Sequence, residues 1–438
     1  MDIMKPFFYR LTTLLFLLTL NGCSSDDDAP TPTPTPIATL TNISPNSGPK
    51  ETQVTISGNH FGHSPDAISV YFNDVEATVQ TVSNTEIISM VPARSYTGLV
   101  KVIVNGTQLI GPEFEYIISD IQVSTIAGST QGFADGTGTS AQFYNPVGIT
   151  VDNQGNIFVA DSENNKIRKI TSDAVVSTIA GSNSGFEDGQ GANAQFSRPE
   201  GITSDSQGNL YVADSRNHKI RKITSSGEVS TLAGNSAGFL DGTGANAQFN
   251  FPTGITIDNQ NNLYVTDMDN NRIRKITPNG VVSTLAGSTA GFADGTGPDA
   301  QFNQPMGITS DSQGNLFITD NDNFRIRKIT PNGTVTTLAG STDGFLDGPG
   351  STALFSWPTG IAIDNQDNLY VADFYNNKIR KITPNGMVST IAGSTDGFAD
   401  GIGSDAQFSK PIKITIDSQN NLYITDYENN KIRKITQE

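Results

Sequence analysis

A Ser/Thr-Thr-x-Ala-Gly segment begins at Ser124, Ser177, Ser230, Ser283, Thr336 and Ser389, each 53 residues after the last. Six copies at unbroken spacing mean that each copy is one structural unit, stacked or set radially. Each unit reads as four strands, a to d. In the first copy these are 147–152, 156–161, 166–171 and 175–180. The a–b link, 152–156, is turn-forming, and later copies join c to d through Pro-Asn-Gly at 278–280, 331–333 and 384–386. Asn-Gly suits a tight hairpin because both residues tolerate positive φ. Four antiparallel strands repeated radially make propeller blades. The sixth copy stops after its strand c, while a surplus strand-d sequence, 123–127, precedes the first. These two are expected to pair and close the ring, removing exposed sheet edges. A solenoid would need capping repeats, and none is visible.

The recurring Pro-x-Gly-Ile, the Asn-Leu/Ile-Tyr/Phe-Val/Ile-x-Asp of strand b and the Asn-x-Lys/Arg-Ile-Arg-Lys-Ile of strand c resemble NHL repeats over 119–438. The resemblance implies a six-bladed propeller, in agreement with the count. In the sixth copy Lys413 replaces the Gly of the other five, and a distorted start to that strand a is expected. Ahead of the array, residues 37–117 carry short alternating strands, among them 54–56, 68–72, 87–88 and 100–104, as in an Ig-like sandwich. Ile43-Ser44-Pro45-Asn46-Ser47-Gly48-Pro49, the run from Val54 to Gly62, Val91-Pro92 and Phe114-Glu115-Tyr116 resemble the IPT/TIG family. That resemblance implies a spacer or adhesion module. His60 and His63 read as turn residues rather than metal ligands. The fold class is therefore all-β: an Ig-like sandwich, then a six-bladed propeller over 118–438, closed by an N-terminal outer strand.

The first 22 residues read as a secretory leader, with Lys5 and Arg10 before a short apolar run at 11–20. Leu20-Asn21-Gly22-Cys23 resembles a lipobox, which implies lipidation of Cys23, the only cysteine. Several acyl chains on one residue make a lasting anchor, since each buried methylene contributes roughly 0.8 kcal/mol. Residues 23–36 form a tether. Ser24-Ser25-Asp26-Asp27-Asp28 resembles the export signal of surface-exposed lipoproteins in the Bacteroidota, and 29–36 is an extended Pro-Thr spacer. The expected location is the cell outer membrane, lipid-anchored and facing outward, with no other membrane contact.

The formal net charge of −17 disfavours nucleic acid as a partner. In an antiparallel meander the d–a and b–c links share one face, and the d–a links are long. Long loops on a rigid scaffold commonly carry binding. Within the repeats, constant positions are expected to build the frame. Phe133, Phe186, Phe239, Phe292, Phe345 and Phe398 would pin the loops to the blade edges. Asp135, Asp188, Asp241, Asp294, Asp347 and Asp400 would cap Asp-Gly turns, with calcium a possible alternative ligand there; no other cofactor is expected. The Asp ending strand b (Asp161, Asp214, Asp267, Asp320, Asp373, Asp426), three residues before a constant Asn, would accept backbone N–H bonds while that Asn turns left-handed.

Varying positions within this frame are the candidate ligand-binding set. Arg198, Phe251, Gln304, Trp357 and Lys410, together with Asn145, precede the recurring Pro. Arg216, His218, Met268, Phe324, Phe374, Tyr375 and Tyr427 lie in the b–c links. Rings that stack on apolar faces beside amide and guanidinium groups suit a glycan or a protein. Trp357 with Phe374 and Tyr375 is the preferred hot spot. The reading is a non-catalytic extracellular binding protein, a monomer or part of an outer-membrane complex. Two alternatives stay open: a scaffold, or a lyase or lactonase, of which some similar propellers hold a channel metal. Such a metal needs His or clustered carboxylates on the inner strands, and the array has one His, His218.

Overall fold

The computed structural model describes residues 36–117 and 121–437. Cys23, the leader and most of the tether lie outside them. No helix among the described residues is long and apolar enough to cross a membrane. Residues 39–116 form a sandwich whose main strands are Thr39–Ser44, Gln53–Asn59, Ile68–Phe72, Val75–Val82, Glu86–Met90, Gly98–Val104 and Thr107–Tyr116. Strict alternation in Gln53–Asn59 buries Val54 and Ile56. They pack with Val70, Phe72, Val102 and Phe114 in the core. His60 follows that strand with φ 61°, a left-handed turn residue.

Six antiparallel sheets make the propeller. In blade 1, strands a to d are Pro146–Val151, Ile157–Asp161, Lys166–Ile170 and Val175–Ala180. The ring closes as expected: Ile121–Ala127 pairs with Lys431–Gln437, from Ile432↔Ala127 to Gln437↔Ile121. Hydrophobic clusters lie between neighbouring blades, as where Phe158 and Ala160 of blade 1 join Ile202 and Leu210 of blade 2. In the first five blades the inner strands approach closely at the Pro-x-Gly glycine. A Cβ on Gly148 would sit 2.2 Å from the Glu200 carbonyl of the next blade.

Two expectations need correction here. Strand a of blade 6 starts no differently from that of blade 2: a register shift between Pro411 and Lys413 matches that between Pro199 and Gly201, and Lys413 pairs with Thr425 as Gly201 pairs with Ala213. The strand keeps its register because the lysine side chain turns into the central channel. The d–a links, read as free binding loops, are largely part of the sheets. Each adds a two-residue fifth strand to the outer edge of the blade it leads into, as where Gly136–Thr137 pairs with Val175 and Val176. Only the end of each link reaches the mouth of the channel.

The sandwich meets the propeller on the face of the a–b turns. An Arg94 terminal nitrogen donates to Asn421 Oδ1 at 3.3 Å, and the Tyr96 hydroxyl to the Gln419 carbonyl at 3.4 Å. The d–a/b–c face lies at the other end of the channel.

Candidate functional site

What holds that second face in shape is a buried arginine in every strand c: Arg168, Arg221, Arg274, Arg327, Arg380 and Arg433, all fully buried. Arg168 donates to Asp161 at 2.6 Å and the Gln142 carbonyl at 3.1 Å through one terminal nitrogen. Through the other it donates to Asp135 at 2.7 Å and the Ala134 carbonyl at 2.8 Å. Buried charge is tolerated only when paired and hydrogen-bonded in this way. The Asp135 oxygens accept from Arg168 and from the Thr178 amide and hydroxyl. Asp135 is thus a clamp between link and strands rather than the cap of its own turn. Phe133 lies 4.9 Å from the Arg168 guanidinium and 4.8 Å from Lys166 Nζ, which pins the half-exposed ring by cation–π attraction.

Asp161 also accepts the Tyr144 amide, as the sequence suggested. Its Asn164 partner donates through the side chain to Asp161 and to the Gly132 carbonyl. The left-handed residue is one further on, Asn165 at φ 54°. Asn165 in turn accepts the amide of Arg198 in the next blade. His218 occupies the same position one blade later, and its Nδ1 accepts the Phe251 amide at 3.1 Å. The only histidine of the repeats is therefore engaged as an asparagine substitute, its pKa lowered by burial and Lys219.

In five of the six copies these paired grips on two successive amides frame the residue before the recurring Pro; Phe324 stands in place of the second acceptor ahead of Trp357, yet all six residues are left-handed. Asn145, Arg198, Phe251, Gln304, Trp357 and Lys410 have φ of 48°, 50°, 55°, 49°, 54° and 53°. Such backbone costs about 1–3 kcal/mol for a bulky residue, persists only where the surroundings over-determine it, and clusters at functional sites. All six are half-buried around the channel mouth.

The structure brings four of the candidates into one aromatic cluster. Trp357 lies 5.0 Å from Tyr375 and 6.5 Å from Phe374 between ring centroids; Phe374 lies 5.0 Å from Tyr375 and 6.4 Å from Tyr427. Lys410 is ion-paired with Glu428 beside them. Across the mouth, Arg198 and Phe251 form a second group at 5.8 Å. Gln304 belongs to neither of these ring contacts among the described residues.

The sequence pass missed what lies below the mouth. Glu200 is buried in the channel wall, with its carboxyl raised by desolvation and held back chiefly by Arg198 and Lys413. Lys413 donates to the Met306 carbonyl at 2.9 Å from two blades away, and burial pulls its amine down to about 8. The cavity that Lys413 borders, together with the glycines and isoleucines of the inner strands, measures about 50 Å³. A channel metal does not fit these residues: one carboxylate faces an amine that would repel a cation. Among the described residues no three His, Cys, Asp or Glu side chains are grouped to hold a metal ion. On the opposite face a hollow of about 520 Å³ lies between blades 1 and 2. Asp152 there braces its own turn through the amides of Gln154 and Asn156.

Comparison with known proteins follows the same division. The IPT/TIG domain profile matches residues 38–120, the NHL repeat profile 143–170, and that of the Virginiamycin B lyase family 190–438. SUPPRESSOR OF QUENCHING 1 of Arabidopsis thaliana is 31% identical over 281 residues, which is 57% of this chain and 26% of that protein. Human NHL repeat-containing protein 2 is 28% identical over 299 residues, 58% of this chain and 41% of that protein. The chain thus spans well under two thirds of these relatives. Among solved structures, a protein of unknown function from Bacteroides thetaiotaomicron superposes with a TM-score of 0.67 at 23% identity, covering 93% of this chain and 99% of that one. An auxiliary nutrient binding protein of the same species gives 0.58 at 19%, with the same coverage. Both likenesses show the fold. The third profile spans more than half of the sequence, and the protein carrying this sandwich and propeller belongs to the virginiamycin B lyase family.

Proposed function

We propose that the protein is a lipid-anchored protein of the cell outer membrane that captures an extracellular glycan at the d–a/b–c mouth of its propeller, without catalysis. The observation that carries this reading is the convergence of Trp357, Phe374, Tyr375 and Tyr427 from blades 5 and 6 on one side of the mouth. Aromatic faces arranged at a concave surface beside charged groups suit sugar rings and their hydroxyls. The placement of the sandwich supports it further. Arg94 and Tyr96 hold the a–b end, so an anchor ahead of the sandwich leaves the mouth uncovered. The nutrient-binding description of a Bacteroides protein with the same fold is in keeping with this role.

Trp357 is the only tryptophan, so its fluorescence reports the mouth alone. Titration with a panel of soluble polysaccharides is expected to shift that emission saturably with at least one of them. No shift with any polysaccharide, while an outer-membrane protein binds instead, would favour the protein-partner or scaffold version.

The family profile favours a second reading, a lyase. Glu200 and Lys413 are the groups in the channel that could exchange protons. Their low exposure, with the Lys413 amine already donating to Met306, weighs against it. Release of an unsaturated product from any panel member, abolished in E200Q, would establish the lyase.

A further inference from the structure

We infer that the captured glycan is acidic and that Arg198 receives its carboxylate; this rests on the glycan-binding reading above and narrows it. Arg198 is fixed on several sides. Its backbone is left-handed ahead of Pro199, its amide is held by Asn165, and Phe251 backs its guanidinium. Its Nε faces the buried Glu200 carboxylate at 2.9 Å, with Glu163 farther off at 3.9 Å. Neither terminal nitrogen has a hydrogen-bond partner among the described residues, although the side chain is only 29% exposed. The contrast with strand c is direct, since both terminal nitrogens of Arg168 are used twice over. A planar fork held from behind, with its two outer donors free, matches a carboxylate bidentately.

Tyr427 connects this fork to the aromatic cluster. Its ring lies 6.4 Å from Phe374, which in turn lies 6.5 Å from Trp357, and its hydroxyl, raised chiefly by burial, is pulled back by the charge of Arg198. A track of three successive rings leading to a guanidinium is longer than one sugar and suits an oligosaccharide with an acidic unit at the Arg198 end. The chain's charge of −17 repels such a ligand at long range. That repulsion is screened beyond about 8 Å at physiological salt. Glu200 sets the orientation of Arg198 and competes with the ligand for it; Glu200 is a positioning residue.

The test compares oligogalacturonate, oligoglucuronate and alginate fragments with their carboxyl-reduced counterparts, titrated by calorimetry into the purified full chain. The readout is the ratio of affinities, acidic over reduced. For at least one pair the wild type is expected to favour the acid by tenfold or more. R198Q should bring that ratio close to one. E200Q, an isosteric change that removes the competing carboxylate, should raise it severalfold, and this opposite sign cannot come from misfolding. Equal binding of acidic and reduced forms, or a preference that survives R198Q, overturns the inference while leaving glycan capture standing. Failure of every glycan, acidic or neutral, overturns both.

Discussion

The outer edge and the inner mouth of the propeller are built from the same repeat and obey opposite rules. At the edge, the Arg168–Asp161–Asp135 clamp recurs in all six blades with Arg–Asp distances between 2.5 and 2.8 Å. At the mouth, six different residues occupy one strained backbone position. The clamp fixes the backbone, and the fixed backbone frees the side chain at its inner end to vary. Identity across the copies therefore marks what carries the ring, and difference marks the positions we propose to meet a ligand.

The comparison breaks most visibly at the edge. Arg327→Ala would leave Asp320 buried without its cation, which costs about 3–5 kcal/mol. Chemical denaturation should show that loss, with Trp357 fluorescence of the folded fraction unchanged. A loss under 1 kcal/mol would mean that the clamp is ornamental. Lys413→Met probes the channel with the opposite sign. A base whose folded pKa falls from 10.5 to about 8 destabilises the fold below pH 8, and stability recovers as pH rises toward 10.5. Removing it should raise stability at pH 7 by roughly 3 kcal/mol. The difference in Tm between wild type and variant should then shrink between pH 8 and 10.5; a pH-independent difference would refute the buried-amine account.

At the mouth, the effect should move from stability to affinity. Trp357→Gly removes a hot-spot ring, expected to weaken binding by about 2 kcal/mol or more. It also relieves a left-handed backbone that costs an L-residue roughly 1–2 kcal/mol. Affinity should fall while the unfolding midpoint holds or rises; a parallel loss of both would place Trp357 in the frame. The smallest effect concerns blade 4, where Phe324 stands in the position from which Asn165, His218 and three further asparagines accept the next blade's amide. Phe324→Asn restores an acceptor for Trp357 and should add about 0.5–1.5 kcal/mol, read as a rise in Tm.

The ring, its closure and the shared face were legible because they follow from spacing and from strand alternation. The buried arginines were less so. Arg168 sits between Ile167 and Lys169 in a stretch that reads as an ordinary half-exposed strand, and its partners are 7 and 33 residues away. The available signal was an arginine constant in all six copies. The left-handed residue before the recurring Pro gave no signal, since Arg198, Phe251 and Trp357 share no side-chain chemistry. Lys413 was visible as a departure from glycine, but its direction depended on how closely the inner strands pack.

Hydrogen–deuterium exchange of the chain with and without a bound polysaccharide tests the division between frame and mouth most directly. Added protection is expected at the amides of 356–357, 374–377 and 427–430, with the a–b turns and the outer clamps unchanged. Protection centred on the a–b turns, such as 152–156 and 205–209, would place the ligand at the opposite end of the channel and contradict the account.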